Sequence, residues 1–245
     1  DLHDPRVWVC AALGERWPGP PPGPEDLSLK TSPPVPETLS RETALLHRRE
    51  GAPLLRTITG AYPTPEAALR RYVDLLVPPA LRLCTIHGVA LELHLQNTLV
   101  VHTGGRLHGF IARDLGGVRL HRARLAAAGH DPTLAPGSFI VTDELAELQT
   151  KLAHTLLHAH LAAVFGWAAL QLGADEAALW AHTRATIDAA LTAWARAEPR
   201  HAAACAADRA AWLAPTVDAK ALLRMRIDER VSDYAYCQVP SPLAD

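Results

Sequence analysis

The alternation of apolar and polar residues is most regular in the middle of the chain. From Val89 to Gln96 the two kinds of residue alternate, which is the period-2 pattern of a half-buried β-strand. Residues 103–106, with the sequence Thr-Gly-Gly-Arg, predict a hairpin turn, and the run from Leu107 to Arg113 predicts the returning strand. The pattern therefore predicts a small antiparallel hairpin that delivers Asp114 into a glycine-containing turn.

Helical patterns lie on both sides of this hairpin. Thr64 followed by Pro65 is typical of an N-cap with proline at the first helical position, so we expect a helix over residues 64–76. Pro78 and Pro79 predict an interruption, after which the helix restarts toward residue 86. From residue 142 almost to the end of the chain, apolar residues recur at helical spacing. They predict amphipathic helices over residues 142–173, 175–197 and 200–213.

The amino-terminal part differs in composition. Eight prolines between residues 18 and 36, with glycines among them, predict an extended and exposed loop. The short apolar run 6–13 fits helix or strand equally, and residues 37–49 fit a short helix or a turn that leads into a strand. We expect three regions: a partial segment with the proline-rich loop (1–40), an α+β region (41–141) and a helical region (142–245).

Composition narrows the class of protein. The chain has 245 residues, 49% of them hydrophobic and 20% charged, which is typical of a soluble globular chain with one large or two small domains. A net charge near −2 and the lack of a basic run argue against nucleic acid and anionic membranes as partners. The sequence has no signal peptide and no uninterrupted apolar run of 18 residues, so we expect neither secretion nor membrane spanning.

The four cysteines, Cys10, Cys84, Cys205 and Cys237, are far apart and form no CxxC pair. This spacing predicts neither a zinc site nor an iron–sulfur cluster. We expect reduced, partly buried thiols in a cytoplasmic protein.

Four oxygen-bearing side chains stand where the predicted hairpin would bring them to one end: Glu92, Gln96, Asn97 and Asp114. Carboxylate and amide oxygens are ligands that Mg²⁺ accepts together with water and substrate phosphates. A polar, solvated sheet face with Asp114 opening a turn explains the same spacing. The pattern alone leaves both interpretations open.

Two other clusters stand in the second half of the chain. His154 and His158 lie one helical turn apart with His160 nearby, and could in principle bind a transition metal. No acidic residue occupies a matching position, which favours packed or solvent-facing histidines. Lys220 belongs to a local basic cluster, for which a solvated face is the simple interpretation.

The segments around the predicted hairpin resemble the carboxy-terminal half of the IucA/IucC family, the siderophore synthetases that work without a nonribosomal peptide synthetase. Residues 92–99 read Glu-Leu-His-Leu-Gln-Asn-Thr-Leu and residues 113–117 read Arg-Asp-Leu-Gly-Gly. Both are similar to family motifs. Arg49-Glu50 and the closing segment 220–226, Lys-Ala-Leu-Leu-Arg-Met-Arg, resemble further family segments. The resemblance runs from about residue 40 to the end.

This resemblance implies a fold and a reaction. The fold would be α+β, with a small antiparallel sheet or hairpin that carries kinase-like metal-binding residues and packs against a carboxy-terminal helical layer. The reaction would be ATP-dependent adenylation of a carboxylate such as citrate, followed by condensation with an amine, hydroxylamine or alcohol. ATP and Mg²⁺ are the implied cofactors.

The matched residues also imply roles. Glu92, Gln96 and Asp114 would hold Mg²⁺ and phosphates with support from Asn97, and His94 would face the acyl-phosphate centre. Arg49 and Lys220 are further candidates for anion contacts. The family's amino-terminal half is absent, so we expect a piece of a longer enzyme. Members of the family are often dimeric.

Two alternative functions remain at this point. A kinase-like phosphotransferase would need a catalytic Asp where Val89 stands. A ferric-siderophore reductase or iron-binding protein of the related FhuF-like type would carry a cysteine cluster near the C-terminus, where only Cys237 stands.

Overall fold

The computed structural model describes residues 39–41, 54–132, 138–228 and 235–244. Helices account for most of these residues, and short strands form small sheets, so the predicted helix-rich α+β class is confirmed. The α-helices are α1 (Leu54–Gly60), α2 (Pro65–His87), α3 (Arg122–Ala127), α4 (Leu145–Ala153), α5 (Ala162–Leu172), α6 (Glu176–Ala197), α7 (Ala202–Trp212) and α8 (Leu222–Ile227). Leu115–Gly117 and Pro199–His201 are 3-10 turns, and His154–Leu161 is a π-helix.

The strands of the described residues form three small sheets. They are β1 (Leu39–Arg41), β2 (Val89–Ala90), β3 (Thr98–Thr103), β4 (Arg106–Ala112), β5 (Arg119–His121), β6 (Val141–Thr142), β7 (Thr216–Lys220) and β8 (Tyr236–Pro240). One sheet has the antiparallel order β1-β3-β4. In the second, of order β2-β5-β6, β2 is antiparallel and β6 parallel to β5. The third is the antiparallel pair β7-β8.

The predicted hairpin turn is confirmed, although its first strand differs from the prediction. Strand β3 pairs with β4, and Thr103 faces Arg106 across the two-residue turn. Gly104 and Gly105 have φ angles of 56° and 86°. Left-handed backbone at both central positions is what a type I′ turn requires, and glycine adopts it without strain.

The strand predicted over residues 89–96 is wrong in its extent, because β2 ends at Ala90. Only Val89 and Ala90 have partners in β5. Residues 91–93 are irregular and residues 94–97 form a bend and a turn. The alternation of burial nevertheless persists through this segment, with Leu91 and Leu93 buried and Glu92 between them partly exposed. The period-2 pattern therefore predicted the alternating side-chain directions of Leu91, Glu92 and Leu93 correctly, although these residues belong to no β-ladder.

Helix α2 begins as predicted and then continues through the expected interruption. The Thr64 side chain accepts a hydrogen bond of 3.1 Å from the Ala67 N–H, and Pro65 is the first helical residue. Pro78 and Pro79 lie inside one helix that ends at His87. Buried residues flank both prolines, so we attribute the continuity to packing that offsets the hydrogen bonds the prolines cannot donate.

The long helix expected over residues 142–173 begins later, at Leu145, and changes its winding in the middle. Thr142 lies in β6 rather than in the helix, and its hydroxyl accepts a hydrogen bond of 3.0 Å from the Glu144 N–H. The segment then runs through α4, the π-helix and α5 to Gly173, which has a left-handed backbone and is the predicted end. These three elements together, Leu145–Leu172, are called the long helix below. Helices α6 and α7 confirm the other two predictions. The prediction of helix almost to the chain end is wrong, because the β7-β8 hairpin lies there.

Helix α2 supplies a large share of the hydrophobic core. Its residues Leu69, Tyr72 and Leu81 are fully buried, and they join Leu148 and Phe165 of the long helix in one cluster. Buried aliphatic and aromatic surface of this kind is the main source of stability. The division into regions at residues 40 and 141 stays a prediction.

Within the described residues, one stretch, Leu145–Leu172, has the length and apolar composition that a membrane span needs. In its most apolar window 44% of the residues are buried inside the fold. Core helices meet the same criterion, and this one contributes Leu148, Leu152 and Phe165 to the core. The expectation that the chain does not span a membrane stays a prediction.

Candidate functional site

The segment that carries Glu92 is held from behind by the long helix. His160, in the π-helix, is fully buried, and its Nδ1 lies 2.7 Å from the Leu93 carbonyl. Because a carbonyl only accepts, Nδ1 must donate this hydrogen bond. On the other side of the ring, Nε2 lies 2.6 Å from the Tyr72 hydroxyl. The Thr155 hydroxyl contacts the Leu91 carbonyl at 3.3 Å and the Lys151 carbonyl of its own helix at 3.0 Å. His160 therefore holds the backbone after Glu92 by a hydrogen bond, and Thr155 contacts the backbone before it.

The π-helix explains how Thr155 and His160 reach the same segment. In an α-helix, residues five apart point in directions about 140° apart. The wider π turn, with hydrogen bonds between residues five apart, brings such residues close to one face. The unusual winding of His154–Leu161 therefore aligns the two side chains that support the Glu92 segment.

The Glu92 carboxylate faces a lysine that the sequence analysis did not select. Lys151 Nζ donates a hydrogen bond of 2.6 Å to Glu92 Oε1, and the lysine side chain is only 8% exposed. The His94 Nε2 atom lies 4.0 Å from Glu92 Oε2. Buried charges need partners, so this ion pair fixes the position of the carboxylate. In the sequence, Lys151 stands out as a single lysine between Leu148 and Leu152 on an apolar helix face, which is the pattern of a buried charge.

Gly117 lies against the other side of this carboxylate. A Cβ atom added there would lie 2.5 Å from the Glu92 Cδ and closer still to Oε2, whereas one added at Gly116 would meet only Asp114 Oδ1 at 3.5 Å. A side chain at position 117 would therefore displace the Glu92 carboxylate from its present position. The glycine turn opened by Asp114 therefore reaches Glu92, and the Glu92 and Asp114 segments lie side by side.

The other predicted ligands lie near this turn in different environments. Asn97 is buried, and its backbone carbonyl accepts a hydrogen bond of 2.8 Å from the Arg113 backbone N–H at the base of the hairpin. Asp114 is exposed and has a left-handed backbone with φ of 61°. Gln96 is exposed on the preceding turn. In the described part of the chain, no three His, Cys, Asp or Glu side chains are grouped closely enough to hold a metal.

Basic groups surround Glu92 and Lys151. Burial lowers the pKa of Lys220, at the end of β7, and the nearby Lys151 charge lowers it further while Glu92 opposes the shift. Burial, followed by the charges of Lys220 and His158, lowers the pKa of His154 to about 4. Lys151 and Lys220 therefore lie close to the neutral imidazole of His154 in a half-buried cluster. The site thus combines two lysines with the Glu92 carboxylate and a neutral imidazole.

The remaining predicted residues are placed as follows. Arg49 and Cys10 lie outside the described residues. The rings of His154 and His158 contact each other at 5.8 Å between centroids. Cys84 and Cys205 are buried free thiols, while Cys237 is free and exposed. Burial is therefore as expected for Cys84 and Cys205 but not for Cys237, and the reduced state of the cysteines stays a prediction.

The chain matches one family model and several curated proteins. Residues 69–235 match the family model described as "Ferric iron reductase FhuF-like transporter". The chain is 34% identical over 180 residues to "NRPS-independent siderophore synthetase rfs" of Rhizopus delemar, covering 71% of the chain and 26% of that protein. It is 27% identical over 185 residues to "L-2,3-diaminopropanoate--citrate ligase" of Staphylococcus aureus, covering 73% of the chain and 30% of that protein.

Solved structures show the same fold. The petrobactin biosynthesis protein AsbB of Bacillus anthracis superposes with a TM-score of 0.69 at 21% identity, covering 83% of this chain and 35% of that one. The ATP-bound aerobactin synthetase IucA of Klebsiella pneumoniae gives a TM-score of 0.60 at 17% identity, with 84% and 37% covered. The chain thus spans about a quarter to two fifths of the length of these proteins.

Proposed function

The chain belongs to the IucA/IucC family of NRPS-independent siderophore synthetases, and we propose that it forms the carboxy-terminal part of an ATP-dependent ligase. In this proposal a citrate-like carboxylate is adenylated and then condensed with an amine, hydroxylamine or alcohol. The observation that carries the proposal is the pairing of Glu92 with the buried Lys151, against the glycine turn of the second family motif.

The chain's own residues fit a metal–nucleotide complex chemically. Glu92 and Asp114 offer carboxylate oxygens on neighbouring segments, and Gln96 offers an amide on the turn between them, which is the ligand chemistry that Mg²⁺ accepts. Asn97 supports this set from the base of the hairpin. Bound Mg²⁺ would neutralise phosphate charge. This arrangement of ligands on a hairpin and a glycine turn is the kinase-like aspect of the proposal.

The cationic residues have a separate role. Lys151 and Lys220 would balance the charge that builds on the phosphates as the substrate carboxylate attacks the α-phosphorus. In that step a carboxylate oxygen forms a bond to phosphorus, and the bond to the bridging oxygen breaks as pyrophosphate leaves. His94, beside Glu92, would contact the acyl phosphate and assist proton transfer. Arg49 remains a proposed anion contact.

Both alternatives are less well supported. The described cysteines Cys84, Cys205 and Cys237 belong to no metal-binding group, which does not favour an iron–sulfur reductase. Val89, at the position where a phosphotransferase needs its catalytic carboxylate, is fully buried in β2. The relatives reported above carry the names of synthetases and ligases.

The wider setting belongs to the proposal as well. We propose that an amino-terminal half, as in the longer relatives, supplies further anion contacts, that the enzyme is cytoplasmic, and that it forms a homodimer. Partners would be the carboxylate and the nucleophile, with neither nucleic acid nor membrane involved.

Calorimetric titration with Mg·ATP tests the proposed metal–nucleotide site. The sample is the intact polypeptide, which includes the proposed amino-terminal half. Glu92→Gln and Asp114→Asn should each weaken binding by about 1.5–3 kcal/mol, the range for hydrogen bonds to charged groups. Asp74→Asn is the matched control, because Asp74 lies on α2 and pairs with His182. Unchanged affinity in both site variants would mean that these carboxylates do not bind Mg·ATP.

A further inference from the structure

The two oxygen atoms of the Glu92 carboxylate have different surroundings. Oε1 accepts the 2.6 Å hydrogen bond from Lys151 Nζ. Oε2 lies against the glycine turn, because a Cβ atom added at Gly117 would meet Oε1 at 3.1 Å but would lie much closer to Oε2. His94 Nε2 is 4.0 Å from Oε2, which is beyond hydrogen-bond distance. In the described part of the chain, the carboxylate therefore has one paired oxygen and one oxygen beside the turn that Asp114 opens.

Lys151 is committed to this contact by its burial. Its side chain is 8% exposed and lies between the buried residues Leu148 and Leu152 on α4. Within the described residues, Glu92 is the acceptor of the hydrogen bond from Nζ, and no second acceptor contacts it. Movement of Nζ away from Glu92 would leave a buried ammonium group unpaired, which is strongly unfavourable. A cation that binds Glu92 therefore has to leave the bond between Lys151 and Oε1 intact.

A carboxylate with one oxygen occupied in this way offers a metal ion one ligand instead of two. One is enough for Mg²⁺, which is octahedral, binds oxygen at about 2.0–2.1 Å, and completes its coordination with water and phosphate oxygens. Ca²⁺ takes about six to eight oxygen ligands at about 2.3–2.6 Å, often including a carboxylate that binds through both oxygens. The contact with Lys151 thus removes a ligand that Ca²⁺ would use and that Mg²⁺ does not need.

We infer that Lys151 is a positioning residue that makes the site select Mg²⁺ over Ca²⁺, because it restricts Glu92 to binding a cation through Oε2 alone. The inference rests on the proposed metal–nucleotide function and adds the cation specificity of that site. Asp114 supplies a further oxygen from the neighbouring turn. The positive charge of Lys151 acts equally on two cations of the same charge, so it affects both affinities and not their ratio.

The test compares Mg·ATP with Ca·ATP in calorimetric titrations of the intact polypeptide, each with its metal in excess. The readout is the ratio of the two dissociation constants. For the parent we expect Ca·ATP to bind at least about ten-fold more weakly than Mg·ATP, the size of one lost contact with a charged group. In Lys151→Met, Glu92 can bind through both oxygens, and the ratio should fall to about three-fold or less.

Lys220→Met is the matched control, since it removes the same charge from the same cluster. It should change both affinities together and keep the ratio of the parent. The number of binding sites per polypeptide, obtained from the same titrations, gives the folded fraction of each variant. Loss of folded protein is therefore not mistaken for a change in affinity.

Three results would overturn the inference. A parent that binds Ca·ATP as tightly as Mg·ATP does so without any variant. An unchanged ratio in Lys151→Met would show that the lysine only stabilises the fold. An equal fall of the ratio in Lys220→Met would assign the selectivity to charge instead of the contact with Oε1. Absence of binding of either complex to the parent would instead refute the proposed nucleotide site, and the inference with it.

Discussion

Replacing Gly117 by alanine tests the geometry of the Glu92 site with a single methyl group. The added Cβ would overlap the Glu92 carboxylate, 2.5 Å from its Cδ, so the carboxylate has to move. Movement breaks the 2.6 Å hydrogen bond from Lys151, whose side chain is 8% exposed and would lose a charged partner. A hydrogen bond to a charged group contributes about 1.5–3 kcal/mol, and local overpacking costs about 1–3 kcal/mol. Because the carboxylate is the end of a flexible side chain, its movement relieves most of the overlap, and we expect a loss of about 1.5–3 kcal/mol in the free energy of unfolding, the range for the lost hydrogen bond.

Gly116→Ala provides the matched control. Its Cβ would meet only Asp114 Oδ1 at 3.5 Å, an ordinary contact, so its unfolding free energy should stay within about 0.5 kcal/mol of the parent. Denaturant unfolding followed by circular dichroism gives both values, and titration with Mg·ATP gives the accompanying loss of affinity. Equal behaviour of the two variants would show that the Glu92 carboxylate is not confined by the glycine turn.

Three further predictions follow from buried groups. Lys151→Met should lower the free energy of unfolding by about 2–4 kcal/mol, because Glu92 loses its partner. Adding Glu92→Gln to this variant should restore at least about 1 kcal/mol. A double-mutant cycle measures this coupling, and additive losses would mean that the two residues are not coupled. His160→Phe should cost about 2–4 kcal/mol because it removes the buried hydrogen bonds to the Leu93 carbonyl and the Tyr72 hydroxyl. His158→Phe should cost clearly less, and similar losses would contradict the supporting role of His160. Burial, and then the charge of His130, lowers the pKa of His87 to about 4, so the unfolded chain binds the proton more strongly. Stability should therefore fall as the pH drops from about 6.5 toward 4, and unfolding midpoints across that range should depend less on pH in His87→Gln.

Local chemistry explains which parts of the fold the sequence could predict. Thr64 and Gly173 act through their own backbone neighbours as caps, and the two glycines at positions 104 and 105 specify their turn without help from distant residues. Interactions of this kind span a few residues, so a short pattern contains the information.

The failures of sequence reasoning have long-range causes. Strand β2 ends after Ala90 because the following segment is held by His160, which is 67 residues from Leu93 in sequence. Helix α2 continues through Pro78 and Pro79 within a buried environment that propensity does not include. The β7-β8 hairpin pairs residues on either side of α8, so neither strand stands out alone.

The candidate site also contains residues that a local motif identifies and one residue whose role depends on a long-range contact. Glu92, His94 and Asn97 could be selected because they lie in one short motif, and Asp114 because it lies in a second motif after the hairpin. Lys151 belongs to no motif, and its partner Glu92 is 59 residues away in sequence. A charged residue in an apolar helix stripe is the general signal that would have identified it.

The nucleotide product tests the central claim most directly. The intact polypeptide is incubated with Mg·ATP, citrate and hydroxylamine, and the products are separated by phosphate-resolved chromatography. The proposed adenylation predicts AMP and pyrophosphate together with a hydroxamate, and His94→Ala should slow their formation by about 10²–10⁴ with a smaller effect on ATP binding. ADP as the sole nucleotide product, with a phosphorylated acceptor, would contradict the assignment.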